Sequence, residues 1–167
     1  MSKFFGKRTH EKANEHTLAS PADGKVLPLE KVEDEVFSTG ILGEGIALVP
    51  ETGEIFAPAD GVIATVFETK HAISMVTDFG AELLIHCGID TVELGGEGFS
   101  VFVGQKDRVT EGQLLLRFDP ALLRKKGYSV TTPIVLTNGE GFSVSPVAKG
   151  NVRRGDALLS LSENTGK

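Results

Sequence analysis

A pair of short apolar runs within residues 69–90 most constrains what this chain can fold into. Residues 72–76 and 83–87 are apolar and rich in strand-forming side chains. The sequence Thr-Asp-Phe-Gly at 77–80 separates them and is a turn signal. The stretch therefore predicts a β-hairpin.

The predicted register of this hairpin brings three polar side chains together. If the hairpin closes with Thr77 opposite Gly80, His71 lies opposite His86, with Cβ atoms roughly 4.5–5.5 Å apart. Thr69 lies two residues before His71, so in an extended strand it points to the same face. The hairpin is thus expected to present two imidazoles and a hydroxyl on one face.

Two adjacent imidazoles restrict the chemistry of this face. Both cannot comfortably carry a charge at that distance, so at least one stays neutral near pH 7. A neutral imidazole has a bare nitrogen that can act as a nucleophile, a base or a metal ligand. As metal ligands, His71 and His86 supply only half of a zinc shell, and Cys87 should point to the opposite face of the strand. A closed zinc site is therefore not favoured, whereas a zinc site completed by a partner stays open.

Phosphoryl transfer suits the three side chains better than hydrolysis does. The chain has no Gly-x-Ser-x-Gly elbow and no Walker loop. Of the two histidines, one can attack a phosphoryl group while the other donates an N–H to it. The hydroxyl of Thr69 can fix the tautomer of the second imidazole. Gly88, close to His86, is expected to leave space and backbone N–H groups for a charged group.

The composition predicts one all-β domain. The chain has 167 residues, 20 of them glycine, and its apolar residues fall in short runs between recurring turns. We expect an antiparallel β-sandwich or barrel-like fold with one or two short helices.

The net charge of −6 argues against nucleic-acid binding and favours a basic partner surface. No secretory leader or membrane-spanning run is visible, so a cytoplasmic location is the default expectation.

Two pairs of similar segments indicate internal duplication. Residues 19–26 resemble residues 57–63, since both place Pro before Asp-Gly and then begin a strand. Residues 109–115 resemble residues 152–159, since both cross a polar turn at Gly. Asp-Gly and Glu-Gly supply turn geometry. The spacing is typical of a compact pseudo-duplicated sandwich.

One helix is predicted after residues 109–115. Asp119 can cap its N-terminus, Pro120 suits the first helical position, and Gly127 ends it.

The two ends of the chain are expected to lie outside the domain. Residues 1–17 are predicted to form a flexible arm, residues 18–162 the domain, and residues 163–167 a flexible tail. The two histidines of the arm, His10 and His16, are expected to be solvated. Phe4 and Phe5 lie among basic residues, so a weak membrane-surface anchor is an alternative reading of the arm.

Five segments resemble the glucose-family enzyme IIA proteins of the bacterial sugar phosphotransferase system. The resemblance covers roughly residues 18–162. The segments, in chain order, are ASPADGKV (19–26), VFSTGILGEGIALVP (36–50), FETKHAISM (67–75), ELLIHCGIDTVELGGEGF (82–99) and TTPIVLTN (131–138).

The resemblance implies a phosphoryl carrier with a duplicated β fold. His86 matches the family's phosphorylated histidine, His71 the histidine that stabilises the phosphoryl group, and Thr69 the threonine that binds that second histidine. The donor would be the histidine-containing phosphocarrier protein. The acceptor would be the cysteine of the enzyme IIB domain of a sugar permease, which would give a peripheral contact with the membrane.

The resemblance also implies a docking face around these residues. Phe37 and Phe67 match apolar residues of that face, and Asp34 and Asp90 match carboxylates beside it. Cys87 departs from the apolar residue, such as Phe or Val, expected after the active histidine. A shallow apolar face with an acidic fringe suits brief docking to basic partners.

Alternative functions remain at this point. A regulatory binding module could bind transporters or metabolic enzymes according to its phosphorylation state, with zinc shared between a partner carboxylate, His71 and His86. No cofactor is otherwise required, and a monomer is expected. A zinc peptidase would need a His-x-His pair in addition to His-x-x-x-Asp ligands, and the His-x-His pair is missing. A biotinyl or lipoyl carrier would need a lysine at a hairpin tip, whereas Lys70 lies beside His71.

Overall fold

The structure is a computed structural model that describes residues 14–164. Strands dominate this part of the chain, as the short β-favouring runs predict. They are β1 (Glu15–Ala19), β2 (Gly24–Pro28), β3 (Glu44–Pro50), β4 (Glu54–Phe56), β5 (Gly61–Val66), β6 (Ala72–Thr77), β7 (Glu82–His86), β8 (Phe99–Val101), β9 (Arg108–Val109), β10 (Leu114–Phe118), β11 (Thr132–Leu136), β12 (Phe142–Pro146), β13 (Asn151–Val152) and β14 (Ala157–Glu163). Two α-helices, α1 (Glu35–Ser38) and α2 (Pro120–Lys125), lie between them.

The strands form three antiparallel sheets around a main core, and a second, smaller buried cluster contains Phe37, Ile89 and Val135. The largest has eight strands in the order β13-β2-β3-β11-β7-β6-β5-β9. Two three-stranded sheets have the orders β1-β14-β12 and β4-β10-β8. Alternate side chains of all three sheets meet in a single buried cluster that includes Ile73, Ile85, Leu115 and Leu159. The predicted all-β sandwich with one or two short helices is confirmed.

Equivalent hydrogen bonds occur in the two duplicated halves of the fold. The carboxylate of Asp23 accepts from the backbone N–H of Arg154 at 2.6 Å. The carboxylate of Asp60 accepts from the N–H of Glu111 at 2.8 Å. These are corresponding positions of the paired sequence segments, and strand pairing matches too, since β13 pairs with β2 as β9 pairs with β5. The duplicated Asp-Gly and polar turns are thus the corners where the sheets are joined.

The β6–β7 hairpin forms, but the predicted register is wrong. Ala72, not His71, pairs with His86. The N–H of Thr77 donates to the carbonyl of Ala81 at 2.9 Å, so the turn has one residue more than predicted. Each one-residue change in loop length shifts the register by one. His71 therefore does not meet His86 by lying opposite it in the hairpin, as the predicted register required.

The predicted capping of helix α2 is confirmed. The carboxylate of Asp119 accepts from the N–H of Leu122 at 3.1 Å, and Pro120 occupies the first turn. Leu123 is fully buried beneath the helix. This helix carries little chemistry, but it supports the loop that follows β7.

Both predicted flexible ends include residues that lie in strands. His16 lies in β1, where its ring stacks on Phe79 at 4.0 Å between centroids and its Nε2 lies 2.7 Å from the carboxylate of Glu163. Residue Glu163 itself belongs to β14, which pairs with β1. Long-range strand pairing, which polar composition does not reveal, orders both segments. Phe4, Phe5 and the rest of residues 1–13 lie outside the described residues, as do residues 165–167.

No helix within residues 14–164 combines the length and apolar character needed to cross a bilayer.

Candidate functional site

His86 ends strand β7 and is half-buried at the surface of the large sheet. Its Nδ1 lies 2.8 Å from the carbonyl oxygen of Gly88. A carbonyl only accepts, so Nδ1 donates and the ring, when neutral, carries its lone pair on Nε2. The ring rests edge-on against Phe37, with centroids 5.0 Å apart.

His71 reaches His86 from a bend just before strand β6. The preceding Lys70 has φ of 64°, and the N–H of Lys70 donates to the carbonyl of Phe67 at 2.7 Å. This turn swings His71 out of the regular strand, so its ring centroid lies 4.8 Å from that of His86 despite the shifted register. Its Nδ1 lies 2.7 Å from the hydroxyl of Thr69. The turn therefore brings together the three predicted side chains.

The environment keeps both imidazoles neutral. Burial, with the nearby charge of His86, lowers the pKa of His71 to about 4. Burial also lowers the pKa of His86, although the Gly88 carbonyl and the charges of Asp34 and Asp90 oppose this effect. At pH 7 the site thus offers two uncharged imidazoles.

The two predicted carboxylates lie close enough to His86 to influence its charge. Asp34 caps helix α1, where its carboxylate accepts from the N–H of Val36 at 2.8 Å. Asp90 adopts a left-handed conformation with φ of 63° and precedes the short 3₁₀ helix Thr91–Leu94. Asp34 thus combines a structural role with an electrostatic one.

The two predicted aromatic residues occupy different positions. Phe67 is 37% exposed, and its ring meets that of His71 edge-on at 5.6 Å. Phe37 is only 3% exposed, so it supports His86 from beneath rather than offering a surface.

Exposed apolar residues on the flanking segments were not predicted from the sequence. They are Val36, Ile41, Leu42 and Val92.

Cys87 points into the core, as strand alternation predicts. It is fully buried, and burial raises the pKa of its thiol. Its N–H donates to the carbonyl of His71 at 2.7 Å, which joins the segments that carry the two histidines. The thiol therefore contributes packing rather than reactivity.

Two residues behind His86, Thr91 and Ser129, escaped sequence reasoning, and a third, Gly88, has a role different from the predicted one. Gly88 acts through its carbonyl, not through the N–H groups expected of it. Thr91 is fully buried and donates its hydroxyl to the carbonyl of Cys87 at 2.6 Å. Ser129, far along the chain, accepts the N–H of Ile89 at 3.1 Å. A glycine two residues after a histidine is the only local signal for this arrangement.

The histidine pair matches only part of a metal centre. The Nε2 atoms of His71 and His86 are the ones not engaged by Thr69 and Gly88. No group of three or more His, Cys, Asp or Glu side chains suited to a metal occurs among residues 14–164. Two imidazoles fit two positions of a zinc shell, and further ligands would have to come from another molecule.

The site places a half-buried imidazole with a lone pair next to a second imidazole. Nε2 of His86 has a lone pair at neutral pH, and the ring of His71 lies beside it. In comparison with known proteins, the chain matches a family model, several relatives and a solved structure. Residues 16–142 match the family model described as phosphoenolpyruvate-dependent sugar phosphotransferase system, EIIA 1.

Similar proteins come from several bacteria. The chain is 44% identical over 154 residues to the PTS system beta-glucoside-specific EIIBCA component of Bacillus subtilis, covering 92% of this chain and 25% of that protein. It is 45% identical over 135 residues to the PTS system glucose-specific EIICBA component of Staphylococcus saprophyticus, covering 81% and 20%. The chain thus spans about a quarter or less of the length of these relatives.

A solved structure is also similar. The glucose permease IIA from Mycoplasma capricolum superposes with a TM-score of 0.83 at 39% identity, covering 87% of this chain and 95% of that one. Together these matches define the class of fold described above. The chain belongs to the EIIA 1 family of the phosphoenolpyruvate-dependent sugar phosphotransferase system. It is a phosphotransferase domain of that system.

Proposed function

We propose that this domain carries phosphoryl groups on Nε2 of His86. The observation that carries the proposal is the bond from Nδ1 of His86 to the carbonyl of Gly88. This bond leaves the lone pair on the outward nitrogen, and the lowered pKa keeps that nitrogen unprotonated at neutral pH. The two effects together give a nucleophile that needs no separate base.

The proposed reaction has two balanced steps. Nε2 of His86 attacks the phosphoryl group on a histidine of the phosphocarrier protein. The P–N bond of the donor breaks as the new one forms, and the donor imidazole leaves with the electron pair. A cysteine thiolate of an enzyme IIB domain then attacks the same phosphorus, and His86 leaves as a neutral imidazole. The proton on Nδ1 stays in place through both steps.

His71 is proposed to stabilise the phosphoryl group during these steps. The hydroxyl of Thr69 donates to Nδ1 of His71, which places the ring proton on Nε2 of His71. From a ring 4.8 Å from that of His86, this N–H can donate to a phosphoryl oxygen. The lowered pKa of His71 ensures that it donates as a neutral group rather than as a competing cation.

The surface around His86 suits two protein partners in turn. Phe67, Val36 and Val92 give exposed apolar area. A depression of about 530 Å³ is lined by three carboxylates, those of Glu33, Asp90 and Glu93, and by one basic residue, Lys31. Apolar area with an acidic border favours fast association with a basic partner at a small interface. This supports the phosphocarrier as donor, acting in the cytoplasm.

The names of the relatives support the acceptor. In the proteins called EIIBCA and EIICBA components, the A part is joined to B and C parts. We infer that this chain delivers its phosphoryl group to an enzyme IIB domain of a permease of the glucose or β-glucoside class. Contact with the membrane would then be made through the permease.

A direct test is to incubate the chain with enzyme I, the phosphocarrier and labelled phosphoenolpyruvate, and then to locate the acid-labile phosphate. We expect label on His86 in the unmodified chain and none in His86→Ala. His16→Ala is a matched control, because His16 lies in β1 outside the proposed site. Labelling of His86→Ala would overturn the proposal.

A second function rests on the two Nε2 atoms that face away from Thr69 and Gly88. They allow a regulatory partner to bind the unphosphorylated face and to complete a zinc site with a carboxylate. Phosphorylation of His86 would block that site. Pull-down with and without prior phosphorylation tests this, with titration of zinc into the partner complex as the second measurement. Equal capture in both states would exclude it.

A further inference from the structure

We propose that Thr91 is a positioning residue that sets the tautomer of His86 by fixing the loop at residues 87–91. The inference deepens the proposed function of His86 and rests on it. Thr91 does not touch the imidazole. It holds the first of the two peptide units between Cys87 and Ile89, and the second unit carries the carbonyl that His86 binds.

The first of these peptide units is held by Thr91 itself. The buried hydroxyl of Thr91 donates to the carbonyl of Cys87 at 2.6 Å. The N–H of Cys87, one unit earlier, donates to the carbonyl of His71 at 2.7 Å. Cys87 is therefore tied on one side to the second histidine and on the other to Thr91. Both Cys87 and Thr91 are fully buried, so water offers no substitute partner.

The second peptide unit is held from a distant segment. The N–H of Ile89 donates to the carbonyl of Ser129 at 3.1 Å. The carbonyl of Gly88 in the same unit accepts Nδ1–H of His86 at 2.8 Å. With the preceding unit anchored by Thr91 and this unit anchored by Ser129, the Gly88 carbonyl points in one direction.

Close packing removes the remaining freedom of the loop. Gly88 has φ of +84°, and a Cβ built on it would lie 2.5 Å from Cγ2 of Thr91 and 2.9 Å from the carbonyl oxygen of Ser129. Leu123 of helix α2 would lie 3.2 Å from the same Cβ. Thr91 thus contributes two different contacts. Its methyl group packs next to Gly88, and its hydroxyl donates a hydrogen bond to the Cys87 carbonyl.

The consequence concerns which nitrogen of His86 is nucleophilic. While the Gly88 carbonyl accepts from Nδ1, the lone pair lies on Nε2 and faces outward. If the Cys87 carbonyl loses its hydroxyl partner, this buried peptide unit must turn to find another. The Gly88 carbonyl then moves off Nδ1, and the Nε2–H tautomer, which has no outward lone pair, gains population.

The experiment compares Thr91→Val, Thr91→Ser and Thr77→Val. Valine keeps the methyl group but replaces the hydroxyl with a second methyl group, whereas serine keeps the hydroxyl and loses the methyl group. Thr77 is a matched control, because it is a buried threonine whose hydroxyl accepts from the N–H of Ala81 at 2.9 Å at the far end of the same hairpin. The tautomer of His86 is read from its ¹⁵N chemical shifts, and phosphorylation by the phosphocarrier is timed in parallel.

We expect the Nδ1–H tautomer in the unmodified chain, in Thr91→Ser and in Thr77→Val. Thr91→Val should give a mixture of tautomers and phosphorylation slower by about tenfold, the scale of losing one hydrogen bond that orients a reacting ring. An unchanged tautomer in a folded Thr91→Val overturns the inference. So does the same change in Thr77→Val, which would show a general loss of stability.

The two proposals fail in different ways. The tautomer measurement uses unphosphorylated protein and needs no partner. If His86 is never labelled but Thr91→Val still shifts its tautomer, the proposed function fails and the positioning role stands. If labelling occurs at His86 and Thr91→Val leaves both tautomer and rate unchanged, the positioning role fails alone.

Discussion

His86 and Gly88 are joined by a hydrogen bond of 2.8 Å from the imidazole Nδ1 to the backbone carbonyl. The bond closes a short loop between residues two apart, so the ring cannot rotate without breaking it. It also decides where the lone pair of the neutral ring lies. The reactivity of the site therefore depends on backbone geometry as much as on the histidines themselves.

Gly88→Ala should destabilise the fold by more than a strained backbone alone would. The added Cβ would lie 2.5 Å from Cγ2 of Thr91 and 2.9 Å from the Ser129 carbonyl oxygen, in a residue with φ of +84°. We expect a loss of about 3 kcal/mol in the free energy of unfolding. Urea denaturation measures it.

The control for that prediction is Gly112→Ala. Gly112 has φ of +88°, but nothing lies within 4 Å of its built Cβ. Its loss should be about 1 kcal/mol, the cost of the left-handed conformation alone. Equal losses for the two variants would show that packing around Gly88 is loose.

His71→Ala should separate the two transfer steps. Nε2 of His86 keeps its lone pair, so the chain should still accept label from the phosphocarrier. Onward transfer to an enzyme IIB cysteine should slow by about 100-fold, because the N–H that stabilises the phosphoryl oxygens is lost. Single-turnover transfer from the isolated phosphorylated chain measures this step. Onward transfer at the unmodified rate would contradict the role given to His71.

Thr69→Val should reproduce a weaker form of the same defect. The hydroxyl of Thr69 lies 2.7 Å from Nδ1 of His71, and valine removes it while keeping a similar volume. The ring of His71 then loses its preference for the Nε2–H tautomer. We expect onward transfer to slow by about tenfold, with acceptance of label unchanged. Thr69→Ser should restore the rate, and failure to do so would assign the defect to packing.

Stability should fall as the pH is lowered from about 6.5 to about 4. The pKa of His71 is lowered from 6.5 to about 4 in the folded state, so in this interval the unfolded chain binds more protons. The loss from His71 should be about 2 kcal/mol after allowance for solvent screening, and it should be complete below pH 4. Thermal unfolding between pH 3.5 and pH 8 measures it. His71→Gln should flatten this part of the profile, and an unchanged profile would contradict the assignment.

Asp34→Asn should separate charge from capping. Asparagine caps helices about as well as aspartate, so helix α1 should persist. The charge of Asp34 raises the pKa of His86, so its removal should lower that pKa further. Docking of a basic phosphocarrier should weaken most at low salt. NMR titration of His86 and binding at two salt concentrations test this, and a raised pKa of His86 would contradict it.

Local chemistry in the sequence determined much of the fold. Asp119, Pro120 and Gly127 predicted helix α2 because caps and breakers act within a few residues. The Asp-Gly corners at Asp23 and Asp60 predicted the duplicated turns for the same reason. The proximity of Thr69, His71 and His86 also followed from the sequence, because a hairpin joins segments that lie close along the chain.

Tertiary structure alone decided how these parts fit. The register of β6 and β7 depends on a loop one residue longer than predicted, and His71 meets His86 only because Lys70 bends the chain. His16 enters strand β1 because distant strand β14 pairs with it. Phe37 is buried beneath His86 rather than exposed beside it. Contacts between distant segments leave no periodic or turn signal, since they depend on packing across the whole core.

The same distinction applies within the site. The sequence by itself led to the prediction of which side chains could carry and stabilise a phosphoryl group. The backbone that orients His86 depends on Thr91 and on Ser129, which reaches the loop from the segment between α2 and β11. Hydrogen bonds of this kind depend on where buried peptide units point, and only the folded chain fixes that direction.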